Sequence, residues 1–148
     1  MRYDYLISGL EIIDGSGKPP YKGNIGIKDG KIFFVNDDDV ANSDARRTTE
    51  CKGMVAAPGF IDMHSHSDLQ YLGSTSDVKI RQGVTTELLG QDGLGVSPVE
   101  DKDKKLLAEL TAGLLGQVPS DIWQWNSMAE YMESLERRGL VNNVAVLA

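Results

Sequence analysis

The sequence reads as an α/β protein, a small β unit joined to the opening strand and helix units of a larger parallel fold. Three observations carry that reading. Short apolar runs separated by turn residues fill the chain up to Pro58, strand-like and helix-like segments alternate after it, and "PGFIDMHSHSDLQ" ends an apolar run with the only two histidines, His64 and His66.

The first part contains four strand-like runs: "YLIS" at Tyr5 to Ser8, "LEII" at Leu10 to Ile13, "NIGI" at Asn24 to Ile27 and "KIFFV" at Lys31 to Val35. Between the last two lies Asp29-Gly30, a hairpin signal because the favoured two-residue turn needs positive φ at both central positions. "DGSGKPP" from Asp14 to Pro20 reads as a turn or loop, and the polar "NDDDVANSDARRTTE" from Asn36 to Glu50 as a surface excursion. A small antiparallel β unit is expected from these runs.

After Pro58 the period changes. "VAAPGFIDMH" ends one strand, and "VTTELLG" from Val84 to Gly90 forms a second. A helix is predicted over Lys105 to Leu115, with Leu106, Leu107, Leu110 and Leu114 as its apolar face. Ser127 and Glu130 form a capping box ahead of the stripe Met128, Tyr131, Met132 and Leu135, and Gly139 stops that helix. "NNVAVLA" then reads as a buried strand. Alternating units of this kind imply a parallel sheet covered on both faces. Three strands are too few to close one, and an eight-stranded barrel needs roughly 250 residues, so the chain reads as truncated.

Composition narrows the function. Asp and Glu outnumber Lys and Arg 22 to 15, a net charge of −7, which opposes nucleic-acid and anionic-membrane surfaces and favours a small-molecule substrate. There is neither a signal-peptide core nor an apolar run of membrane-spanning length, and the lone Cys51 excludes an internal disulfide; a cytoplasmic location is expected.

The histidine pair has a direct physical reading. Residues i and i+2 of a strand project to one face, so His64 and His66 point together and could share one cation. At the C-terminal end of a barrel's first strand they would face the mouth where such barrels do chemistry. Imidazole suits Zn, Ni, Fe and Mn, and two ligands leave positions for other residues and for water. Two close histidines can also be exposed or structurally hydrogen-bonded. Asp62 reads as a structural or supporting group, Asp68 as a loop residue at the site entrance, and Trp123 and Trp125 as scaffold or substrate rim.

At these residues the sequence resembles the amidohydrolase superfamily, and within it the N-acyl-D-amino-acid deacylases, or D-aminoacylases. "YDYLISGLEIIDGSGKPPYKGNIGIKDGKI" looks like the start of their β-sandwich domain, "APGFIDMHSHSD" like their metal motif, "RQGVTTELLGQDG" like their second barrel strand and "WNSMAEYMESLE" like the following helix. The resemblance implies that residues 1–57 are the N-terminal part of a small β-sandwich and 58–148 the first βα units of a metal-dependent (β/α)8 TIM barrel. It implies a zinc cofactor, one ion or two, and hydrolysis of an N-acyl-D-amino acid to the D-amino acid and a carboxylate. The catalytic acid or base would lie beyond residue 148.

One departure stands out. Where D-aminoacylases commonly have Asn-Cys-Gly with a metal-binding cysteine, this chain has Gln91, Asp92 and Gly93. Asp92 is either a third metal ligand beside His64 and His66 or a turn residue. As an oxygen ligand it would harden the site and admit Mn2+ or another divalent ion. Two other readings stay open: a cyclic-amide hydrolase like hydantoinase or dihydroorotase, and a catalytically silent scaffold. Dihydroorotases often extend the motif to His-x-His-x-Arg, against Asp68 here.

Overall fold

The computed structural model describes residues 3–36, 45–73 and 77–148. These fall into two compact units, Met1–Pro58 and Gly59–Ala148. No helix among the described residues is long and apolar enough to cross a membrane.

The first unit is one five-stranded sheet. Its strands are β1 (Tyr3–Ile12), β2 (Tyr21–Lys28), β3 (Lys31–Asn36), β4 (Ala45–Glu50) and β5 (Val55–Ala56). The order is β3-β2-β1-β4, with β5 also paired to β1. Asp29 and Gly30 turn the β2–β3 hairpin with φ of 51° and 71°, as their sequence requires. Period-two alternation along β1 buries Leu6, Leu10 and Ile12.

Two features depart from the expected antiparallel unit. Strands β4 and β5 run parallel to β1, so the sheet is mixed. Moreover, Ala45–Glu50, expected within a polar excursion, is a strand. Its side chains are mostly exposed, and backbone pairing to β1 does not require apolar ones; the Thr49 hydroxyl lies 2.9 Å from the Tyr5 hydroxyl. Residues 37–44 of that excursion lie outside the described residues.

The second unit is mixed α/β. Three parallel strands, β6 (Phe60–Asp62), β7 (Val84–Leu89) and β8 (Asn143–Val146), lie in the order β6-β7-β8. Helices α1 (Gln70–Gly73) and α2 (Val78–Arg81) connect the first two, and α3 (Lys104–Leu115) and α4 (Met128–Arg138) the last two. Val55 and Ala56, expected to open the histidine-bearing strand, pair instead with β1, so β6 starts only at Phe60.

Helix α4 follows its sequence closely. The Ser127 side chain accepts from the Glu130 amide, and the Glu130 carboxylate accepts from the Ser127 amide, so two otherwise orphaned donors are satisfied. Tyr131 and Leu135 are buried, and Met128 and Met132 pack against the same core. Trp125 is fully buried, donates to the Val96 carbonyl at 2.8 Å and sits 5.2 Å from the Tyr131 ring, while Trp123 stacks on it at 5.4 Å. Both tryptophans pack in the core of this unit.

Helix α3 turns a different face inward. Leu106, Leu110 and Leu114 are exposed, whereas Thr111 and Leu115 are buried and Leu107 and Ala108 pack on the core. Apolar residues lie on two faces of this helix, so spacing alone admits either. Thr111 enters the core without loss because its hydroxyl donates to the Leu107 carbonyl at 2.8 Å.

Candidate metal centre

Strand β6 ends at Asp62, two residues before the first histidine, yet the alternation of a strand continues. The Ser65 amide still donates to the Leu88 carbonyl of β7 at 3.1 Å. Ser65 is therefore held under the segment and buried, while His64 is exposed and His66 half-buried on the other side. The expectation that both histidines share a face is met by a segment that is no longer regular strand.

Asp92 reaches them from the end of β7. Gly90 takes φ 74°, and a Cβ there would lie 2.7 Å from the Leu147 carbonyl oxygen, so the turn needs glycine on two counts. Asp92 then adopts φ 58° within the 3₁₀ turn Gln91–Gly93, a left-handed conformation that aspartate tolerates better than most residues. It is thus a turn residue, and the turn aims its carboxylate at the histidines. Oδ2 lies 3.2 Å from His64 Nε2 and 3.3 Å from His66 Nε2.

Two ties cinch the histidine segment to this turn. The Gln91 side-chain amide donates to the Met63 carbonyl at 3.0 Å and the Leu88 carbonyl at 3.1 Å. The Asp68 carboxylate accepts from the Gly90 amide at 3.0 Å. Asp68 is buried, not at an entrance, and burial pushes its carboxyl up, against the opposing Gly90 hydrogen bond. Its backbone carbonyl accepts from Tyr131 at 2.9 Å, which ties the segment to α4 as well.

The donor set fits a divalent cation. Ligand atoms of His64, His66 and Asp92 all lie within 4.8 Å of one another. Tetrahedral zinc with arms of about 2.0–2.1 Å has edges of about 3.3 Å, the separation found from each imidazole to the carboxylate. Each gap between imidazole Nε2 and carboxylate is one that a ring N–H or a shared metal ion would bridge. Buried His66 Nδ1 has no hydrogen-bond partner among the described residues.

Beneath the histidines lies a charged layer of which the sequence reading pointed only to Asp62, as a supporting group. Lys79 donates to Asp62 Oδ2 at 2.8 Å, Ser65 Oγ at 2.7 Å and Glu87 Oε2 at 2.6 Å. Fully buried Glu87 also accepts from Ser65, Tyr71 and Asn142. Burial alone would raise its carboxyl, but these four donors win and hold it at about 2. The Lys79 hydrogen bond likewise holds Asp62 below the usual carboxylate range. One signal was available: a glutamate inside the apolar strand "VTTELLG" demands partners.

Comparison with known proteins places the chain. No family model matches it. It is 30% identical over 147 residues to the D-aminoacylase of Alcaligenes xylosoxydans xylosoxydans, covering 98% of this chain and 28% of the relative. The N-acyl-D-glutamate deacylase of the same organism is 32% identical over 147 residues, covering 99% of this chain and 28% of that protein. The crystal structure of N-acyl-D-glutamate deacylase from Bordetella bronchiseptica, complexed with zinc and a phosphonate inhibitor, superposes with a TM-score of 0.75. It is 28% identical and covers 100% of this chain and 30% of that one. The chain is thus similar to D-aminoacylases and N-acyl-D-amino-acid deacylases along almost its whole length. It spans less than a third of the length of these D-aminoacylase relatives.

Proposed function

We propose that the full-length protein is a metal-dependent amidohydrolase that cleaves N-acyl-D-amino acids to the D-amino acid and a carboxylate. The observation that carries this reading is the convergence of His64, His66 and Asp92 within 4.8 Å at the C-terminal ends of adjacent parallel strands. Likeness to deacylases over 98% of the chain supplies the substrate class. In the same reading, residues 1–57 belong to a small β-sandwich and 58–148 open a (β/α)8 barrel.

His64, His66 and Asp92 would hold a divalent ion, zinc or, given the oxygen donor at 92, manganese. Such an ion would lower the pKa of bound water towards about 7 and polarise the scissile carbonyl. The chain's own residues do the positioning. The Gly90 turn presents Asp92 and the Gln91 amide fixes its distance from the histidine segment. Asp62 is committed to Lys79 and Asp68 to the Gly90 amide, so neither is offered as the group that moves a proton to the departing amine. That group is expected outside this chain.

The test is amine release by the full-length, metal-reconstituted protein from paired N-acetyl D- and L-amino acids with acidic and apolar side chains. Release from the D series alone is expected. No release from either series would move the reading to cyclic amides, or to a silent scaffold if metal binding also fails.

A further inference from the structure

We infer that Lys79 and Glu87 are positioning residues that set the spacing of the metal ligands from beneath, acting through Ser65 and Asp62. The inference rests on the metal reading above and extends it to residues that touch no ligand atom themselves. Ser65 lies between the two histidines, and its hydroxyl is gripped by Glu87 Oε2 at 2.5 Å and by the Lys79 ammonium at 2.7 Å. Lys79 also fixes Asp62, whose other carboxylate oxygen accepts from the His64 backbone amide at 3.2 Å. Each histidine therefore stands one peptide unit from a side chain that the pair holds.

The layer is over-determined. Lys79 has three acceptors for its three protons, and both oxygens of Glu87 are occupied. Stability alone does not explain it, because apolar residues of similar volume commonly replace a buried ion pair at no cost. Fixed geometry does explain it, since a hydrogen-bonded charge network admits one arrangement where apolar packing admits several. Two carboxylates against one ammonium also leave a net negative charge beneath the site, favourable to a cation above.

Cobalt(II) titration of the metal-stripped full-length protein, followed by its visible bands, tests the inference. Glu87→Gln and Ser65→Ala should bind cobalt about 10–100-fold more weakly than wild type, the usual cost of removing a group that orients a metal ligand, and with shifted bands. Ser127→Ala, which removes the distant α4 cap, should melt earlier yet titrate like wild type, separating lost stability from lost positioning. If Glu87→Gln does not fold, Ser65→Ala decides, because it leaves the Lys79–Glu87 pair intact. Folded variants with wild-type affinity and bands would overturn the inference. Absence of cobalt binding by wild type would instead sink the metal reading and take this inference with it.

Discussion

His64 and Ser65 are neighbours in sequence and opposites in environment. The histidine side chain is 58% exposed, with one carboxylate oxygen facing it. The serine is 3% exposed and meets Glu87, Lys79 and Ser67 at once. The same contrast separates Asp92, on an open turn, from Glu87, sealed in the strand that leads to it. Alternation across a strand thus sorts one short segment into an open layer with spare coordination capacity and a closed layer with none. The open layer is suited to gain a ligand, and the closed layer to keep its own geometry.

Removing the open layer should abolish function and spare the fold. His64→Ala combined with His66→Ala is expected to reduce bound metal to background and eliminate amide hydrolysis, while the circular dichroism spectrum and melting temperature of the metal-free protein stay close to wild type. A variant that lost its fold would break the distinction between the layers.

Removing the closed layer should do the reverse first. Glu87→Ala leaves the Lys79 ammonium short of its partner and strips acceptors from Tyr71 and Asn142, so a loss of about 3–5 kcal/mol in denaturant unfolding is expected. Acid should reveal the same residue. The Glu87 carboxyl is depressed from an ordinary 4.5 to about 2, so its contribution to stability is present above about 4.5 and is lost as pH falls towards 2. Urea midpoints of wild type should drop more steeply across that window than those of Glu87→Gln; parallel curves would argue against a buried, ionised glutamate. The smallest effect belongs to a site in neither layer. Ser127→Ala should cost about 1 kcal/mol through loss of the α4 cap, read from its thermal midpoint, with metal content unchanged.

What the sequence made legible follows the range of the interactions. The Asp29-Gly30 hairpin and the Ser127–Glu130 box are local chemistry, and both stand where their residues place them. The spacing of His64 and His66 carried their shared face even past the end of β6. Less local features were harder to see. Strand β4 is polar because pairing with β1 uses its backbone, and nothing in "ARRTTE" announces that partner. The inward face of α3 was chosen by what surrounds it, since its leucines offer two faces. Lys79, Tyr71 and Asn142 meet at Glu87 from positions 8, 16 and 55 residues away, distances over which no periodicity speaks.

The most direct measurement is zinc stoichiometry and affinity of the full-length protein beside its Asp92→Ala variant, both stripped and reloaded under the same conditions. Wild type should retain zinc and the variant should bind less of it, more weakly, with an unchanged circular dichroism spectrum. Equal zinc content and affinity in the two proteins would contradict the account, leaving Asp92 a turn residue beside a histidine pair that does not need it.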